Sequence, residues 1–269
     1  MQKPQPSHSS WQELVASPRR PSHILQIYDS DEFLAAGVGL FAAEGLSRGE
    51  AVFLSGTAPH LGDLRRTLRS HGVDIDRAQA REQLVLSSVE DTMAALMVDG
   101  MPDAERFRAF GGVLGRASRD PRFSGVRCWG EMSHVLYQRG DAKAALAAEG
   151  LAYESTLPHG AVLFCSYLLD RFDARAYDGA LHEVCACHSH VIPAEDYVRH
   201  RLAVNRAIAE VVGEIKGATL QSLLSWKGLG CELPSSQAVL FWLRDALPDR
   251  FQDVLSRARA YQLGESSDA

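Results

Sequence analysis

The chain has no apolar run approaching the ~18 residues that a membrane-spanning helix requires. Its first 21 residues are polar and punctuated by proline, without the apolar core of a signal peptide. These two absences lead us to expect a cytoplasmic protein. Positive charge is not in excess: 28 Lys and Arg stand against 34 Asp and Glu, for a net charge of −6. That balance argues against a nucleic-acid surface over the whole molecule, since phosphate neutralisation needs clustered Lys and Arg. Arg65-Arg66-x-x-Arg69 forms a local basic run, which reads as a solvated helix face. Cysteine is sparse and odd in number, with Cys128, Cys165, Cys185, Cys187 and Cys231 mostly inside apolar segments. Reduced, buried thiols fit that pattern better than a disulfide framework.

Two catalytic signatures are also missing. No Gly-x-Ser-x-Gly nucleophile elbow occurs. The turn after the first strand, where a phosphate-binding loop would sit, reads Tyr28-Asp29-Ser30-Asp31-Glu32-Phe33. It has neither a glycine run nor a lysine, and its acids would repel a triphosphate. ATP hydrolysis by P-loop machinery is therefore not expected.

What the chain does have is enough apolar content, 46% of 269 residues, for one large core or one core with a small appendage. Strand and helix signals alternate along it. His23–Tyr28, Ala51–Ser55, Leu84–Val89, Val126–Trp129 and Ala161–Tyr167 are short, continuous and apolar, as expected of strands covered by helices on both faces. Between them, Phe33 to Phe41, Leu61 to Leu68, Met97 to Leu114 and Ser133 to Thr156 carry helical spacing. This alternation predicts an α/β fold, a doubly wound, mainly parallel sheet with right-handed crossovers.

The character changes after His190. A helix is predicted to start at Pro193-Ala-Glu-Asp196 and to carry a stripe of Val204, Ile208, Val211, Val212 and Ile215. Shorter helices are expected around 220–226, 236–246 and 249–263. The domain reading is a flexible leader over 1–21, an α/β domain over 22–193, a helical extension over 194–263 and a disordered tail over 264–269. The apolar stripe would serve a homodimer or an intramolecular contact equally well.

Three local patterns carry chemical interest. Gly37-Val-Gly39-Leu-Phe-Ala42 matches a dinucleotide fingerprint in letters, but its glycines lie inside a helical pattern, away from the turn where a phosphate could meet a helix N-terminus. His182, Cys185, Cys187, His188 and His190 are metal-ligand types. On one continuous helix they cannot all meet a single ion, so Cys185, Cys187 and His190 would bind metal only if the chain breaks there. The third pattern is Gly125-Val-Arg127-Cys-Trp-Gly130-Glu131-Met-Ser133. A strand runs directly into Arg, Gly and Glu and then a helix, at the end of the sheet where ligands bind in open parallel folds.

His23-Ile-Leu-Gln-Ile-Tyr28-Asp29-Ser30, Glu44-Gly45-Leu46 with Gly49-Glu50, and Arg127-Cys-Trp-Gly130-Glu131-Met132-Ser133 resemble the MEDS domain, the methanogen/methylotroph DcmR sensory domain. Leu163–Tyr167 and the stretch from His188 to Ile192 fall where that family has its last strand and a closing histidine. The resemblance covers about residues 22–193. It implies a RecA/KaiC-like α/β core that has lost its P-loop and senses small molecules, with hydrocarbon derivatives one candidate class. Glu131 would then stand where a Walker B strand ends. The sequence shows no helix-turn-helix ahead of this domain and no kinase domain after it, so direct DNA binding is not expected. Output would pass through a partner, such as a histidine kinase or a transcription factor, or through the helical extension.

The resulting expectation is a non-catalytic sensor whose small organic ligand is contacted by His23 or Tyr28, Arg127, Glu131 and Tyr167, with His188 or His190 closing the site. No cofactor is fixed by the sequence, which leaves a small organic ligand or a metal ion open. Two alternatives stand beside it. One is a metal- or haem-dependent sensor or enzyme built on Cys185, Cys187 and His190, and the other is a scaffold that binds no small ligand.

Overall fold

The structure is a computed structural model and describes residues 11–177, 180–213 and 233–264. Its contacts divide after Leu168 into two compact units. The first contains α1 (Trp11–Ala16), β1 (Ser22–Tyr28), α2 (Asp31–Ser47), β2 (Ala51–Gly56), α3 (Ala58–Ser70), α4 (Ile75–Ala80) and β3 (Leu84–Ser88). It continues with α5 (Val89–Leu96), β4 (Met97–Val98), β5 (Met101–Pro102), α6 (Ala104–Arg119), β6 (Val126–Gly130), α7 (Met132–Gln138), α8 (Ala142–Thr156) and β7 (Val162–Leu168).

Five of these strands form a sheet in the order β3-β2-β6-β7-β1, and every pairing between them is parallel. The α/β expectation therefore holds. Every residue of β1 is buried, and its apolar residues Ile24, Leu25, Ile27 and Tyr28 do not alternate with exposed polar ones; Ser22, His23 and Gln26 are buried with them. From β2 the chain moves outward to β3, whereas from β6 it moves the opposite way to β7. Adjacent β2 and β6 thus form the switch point of the sheet, where ligands bind beyond the carboxyl ends of the strands.

Helices cover both faces. On one face α2 packs closely because its glycines admit neighbours. A Cβ on Gly37 would stand 2.6 Å from Gln26 Nε2, and one on Gly39 would stand 2.4 Å from Thr67 Cγ2 of α3. The fingerprint-like glycines therefore serve helix packing. On the other face Val89, Leu96, Phe107, Met132, Val135, Leu136 and the alanines of α8 make a continuous core. Burying each of the larger side chains contributes roughly 1.5–3 kcal/mol.

Local signals set most boundaries. Ser30, Ser88, Asp103 and Asp141 each accept a backbone N–H three residues on, capping α2, α5, α6 and α8. Three features differ from the sequence reading. Residues 11–16, expected within a flexible leader, form α1, and Val15 is wholly buried. Between α5 and α6 lies an antiparallel β4–β5 hairpin turning on Asp99 and Gly100, both with positive φ. The single helix expected from Ser133 to Thr156 is two helices, because Gly140 turns left-handed at φ 86° and Asp141 caps a new start.

The second unit contains α9 (Ala174–Tyr177), α10 (Ala180–Ala186), β8 (His190–Val191), α11 (Tyr197–Val212), α12 (Ser235–Ala246) and α13 (Pro248–Leu263). Asp196 caps α11, so this helix begins just after the expected Pro193–Asp196 start. Ala203, Val204, Ala207 and Ile208 of α11 are buried, as are Val254, Leu255 and Ala258 of α13, the helix it packs against. Val211 and Val212 are only half-buried. Tyr177 stands edge-on to Phe241 and Phe251, with ring centroids 5.2 and 5.1 Å away. Ile215, the helix expected over 220–226, Cys231 and the tail after Gly264 lie outside the described residues. Among the described residues, no helix is long and apolar enough to cross a membrane.

Candidate functional site

Glu131 follows β6 directly and is fully buried. A buried carboxylate needs donors on both oxygens. Oε2 accepts the Thr57 backbone N–H at 2.9 Å, at the end of β2, and Oε1 lies 2.5 Å from His60 Nδ1 in the first turn of α3. The other ring nitrogen of His60 lies 3.4 Å from Asp31 Oδ1, at the first position of α2. Three strand ends, those of β1, β2 and β6, thus converge on one charge relay. Gly56 makes the approach possible, since a Cβ there would stand 2.9 Å from Glu131 Oε2 and closer still to the Trp129 ring. The hydrogen bond to Glu131 raises the His60 pKa above its ordinary value, with burial working against it.

Aromatic rings continue the site inward. Tyr28 stands edge-on to His60 at 6.3 Å and to His134 at 5.9 Å. His134 in turn meets Tyr167 at 5.7 Å, and Tyr167 meets Tyr137 at 6.1 Å. Burial, with the Glu131 charge beside it, pushes the Tyr28 hydroxyl well above its usual pKa. Burial lowers His134 to about 4, so its imidazole is neutral at physiological pH. Its Nε2 lies 3.4 Å from the Tyr28 hydroxyl, but its buried Nδ1 has no hydrogen-bond partner. An unsatisfied buried polar atom of this kind costs about 1–3 kcal/mol. Surface hollows of about 480 and 350 Å³ lie in the second unit and one of about 280 Å³ lies between Leu46, His71 and Gln83 in the first. None of these three is lined by Glu131 or His134. The half-buried His60 lies between Glu131 and the exposed Asp31 carboxylate.

A second polar cluster occupies the α8 face of the sheet. His23 Nε2 of β1, Cys165 Sγ of β7 and Glu149 Oε2 of α8 lie 3.2 Å from one another on each side of a triangle. The second oxygen of Glu149 accepts the Tyr167 hydroxyl at 2.8 Å. Tyr153 stacks on the His23 ring at 5.5 Å and 12°. Burial, followed by the Glu149 charge, raises Tyr167 far above its ordinary pKa.

The residues singled out in the sequence separate into groups. Tyr28 and Glu131 meet at the strand ends, and Tyr167 joins them through His134. His23 does not reach that end; it belongs to the triangle with Cys165 and Glu149. Arg127 corrects the expectation most clearly. It precedes Glu131 by four strand residues, which is about 13 Å along the strand. Its guanidinium forms an ion pair with Glu50 and donates to the carbonyls of Val15, Phe41 and Ala16. Every nitrogen is engaged there, so it offers a ligand nothing. His188 lies in the second unit, buried, with Nδ1 2.6 Å from the Val184 carbonyl. His190 Nδ1 lies 2.8 Å from Ser189 Oγ. Among the described residues, Cys185, Cys187 and His190 do not converge as a metal-binding group. Cys185 is buried near the end of α10, and Cys187 and His190 lie beyond that helix.

His60 and His134 escaped the sequence reading. Both occupy the first turn of a helix that follows a strand end, the positional rule that singled out Glu131.

Fold and site together define an α/β domain with a buried acid–histidine–tyrosine centre at the switch point of its parallel sheet. Residues 22–189 match the model of the MEDS family, the MEthanogen/methylotroph, DcmR Sensory domain. The chain belongs to that family, a family of sensory domains. No curated protein matches it.

Proposed function

We propose that this chain is a non-catalytic, cytoplasmic sensory protein whose small organic ligand binds at the carboxyl ends of β1, β2, β6 and β7. Glu131 and His60 form the charged wall of the site. Tyr28, His134 and Tyr167 form its aromatic wall, where rings with polar tips suit a ligand that is part apolar and part oxygen-bearing. Output passes to a partner protein, a histidine kinase or a transcription factor.

The observation that carries this reading is His134 Nδ1, a buried nitrogen without a partner beside the switch point. A ligand oxygen there would supply the missing hydrogen bond, and the gain would add to affinity. The loss of a phosphate loop supports a sensor over a nucleotide hydrolase. The N-terminus of α2 is capped by Ser30 Oγ on the Phe33 N–H and followed by Asp31 and Glu32, leaving the helix end hostile to phosphate. On this reading the RecA/KaiC-like core keeps the strand-end position of Glu131 and uses it for recognition.

The test is titration calorimetry of the full chain against short-chain alcohols, aldehydes and halogenated hydrocarbons. At least one compound should bind, with affinity reduced about tenfold or more in His134→Phe and Glu131→Ala, the loss of one or two hydrogen bonds. Equal affinity in the wild type and both variants would remove the strand-end site.

A further inference from the structure

We infer that His23, Glu149 and Cys165 are ligands of a transition-metal ion, with zinc the best fit. This inference does not depend on what binds at Glu131, because the three side chains take no part in that cluster.

The argument begins with the donor set. An imidazole nitrogen, a carboxylate oxygen and a thiolate sulphur are the three ligand types that zinc accepts, and their mixed softness suits zinc better than calcium or magnesium. All three residues are fully or almost fully buried. His23 of β1 lies 142 residues from Cys165 of β7, so only the fold brings it to the pair that Cys165 makes with Glu149 of the preceding α8.

Geometry supplies the second step. Ordinary zinc bond lengths of about 2.0–2.2 Å to N and O and 2.3 Å to S, at tetrahedral angles, place ligand atoms about 3.4–3.6 Å apart. The three atoms form a nearly equilateral triangle with sides of 3.2 Å. Seating an ion therefore requires them to part by only a few tenths of an ångström.

Neighbouring groups hold the donors as metal sites require. Tyr153 stacks flat on the His23 ring and fixes its plane. Tyr167 donates to Glu149 Oε1, which orients the carboxylate so that Oε2 faces the triangle. Such outer hydrogen bonds govern metal affinity. Tyr167 also meets His134, so the ion would help fix one wall of the strand-end site. Binding exchanges protons for the ion: the Cys165 thiol loses its proton, and His23 Nε2 presents its lone pair.

The test uses the full chain purified without chelators, and also refolded with zinc or cobalt so that burial cannot block entry. The expected result is about one metal per chain and, in the cobalt form, a thiolate-to-metal charge-transfer band. Cys165→Ser should abolish that band. Cys128→Ala, which removes the other buried thiol of the first unit, should leave it intact, as should Tyr167→Phe, with affinity about 10-fold weaker. X-ray absorption of the wild-type zinc form needs no variant and should count one sulphur among nitrogen and oxygen donors. A folded chain that takes up neither metal on refolding would overturn the inference. So would a band that survives Cys165→Ser, or a sulphur count other than one.

Discussion

The two ends of β6 each bury a charge, and they treat it differently. At the amino end, Arg127 is held by the Glu50 carboxylate and by three carbonyls from α1 and α2. Burial draws its pKa down and the pairing with Glu50 works against that, so the charge is retained and its donors are used. At the carboxyl end, Glu131 is held by one backbone N–H and by a histidine that can gain or lose a proton. The first arrangement has one state. The second changes with pH and stands beside an unsatisfied nitrogen on His134. This sheet keeps its rigid polar contacts at the amino end of β6 and its adjustable ones at the carboxyl end.

The largest expected effect lies at the locked end. Arg127→Ala should cost about 3–5 kcal/mol in urea denaturation, because it breaks a buried ion pair, removes the donors to the Val15, Phe41 and Ala16 carbonyls, and leaves Glu50 with the partly exposed Arg20. A loss below about 1 kcal/mol would mean that the amino end is no more rigid than the other.

The next effect concerns acid. His134 titrates near 4 in the folded chain, below the ordinary histidine value of ~6.5. The unfolded chain therefore binds more protons between those values, so stability falls as pH drops through that window and is level above it. His200 of the second unit, lowered to about 3 by burial, adds a loss of the same sign. His134→Phe should remove the first of these contributions, on the order of 3 kcal/mol between pH 7 and 4. An unchanged stability–pH curve would place His134 in water instead of in the core.

The smallest effect is at the adjustable end. Glu131→Gln keeps the shape and an acceptor for Thr57, so stability should change by less than about 1 kcal/mol. The His60 pKa should fall back toward its ordinary value, which NMR titration reads directly. In the wild type, His60 contributes stability below its unfolded pKa and loses it as pH rises through the raised folded value. A His60 titration unmoved by Glu131→Gln would break the proposed coupling.

These contrasts explain what could be read from the chain alone. Strands such as His23–Tyr28 declare themselves because burial on both faces leaves a short, mostly apolar segment without polar–apolar alternation. Glu131 was legible because it ends such a run. Arg127 was misplaced because spacing shows which strand a residue occupies and not which end its side chain serves. The breaks at Gly140-Asp141 and Asp99-Gly100 carried turn signals, yet each sits inside a helical pattern that masks it. The His23–Glu149–Cys165 triangle had no local signal, since it depends on the register that places β1 beside β7.

The account rests on the carboxyl end being the responsive one, and side-chain nitrogen NMR of the full chain tests this directly. Adding a compound that binds calorimetrically should shift the His60 and His134 imidazole signals and leave the Arg127 Nε signal in place. A bound compound that moves Arg127 while both histidines stay fixed would contradict it.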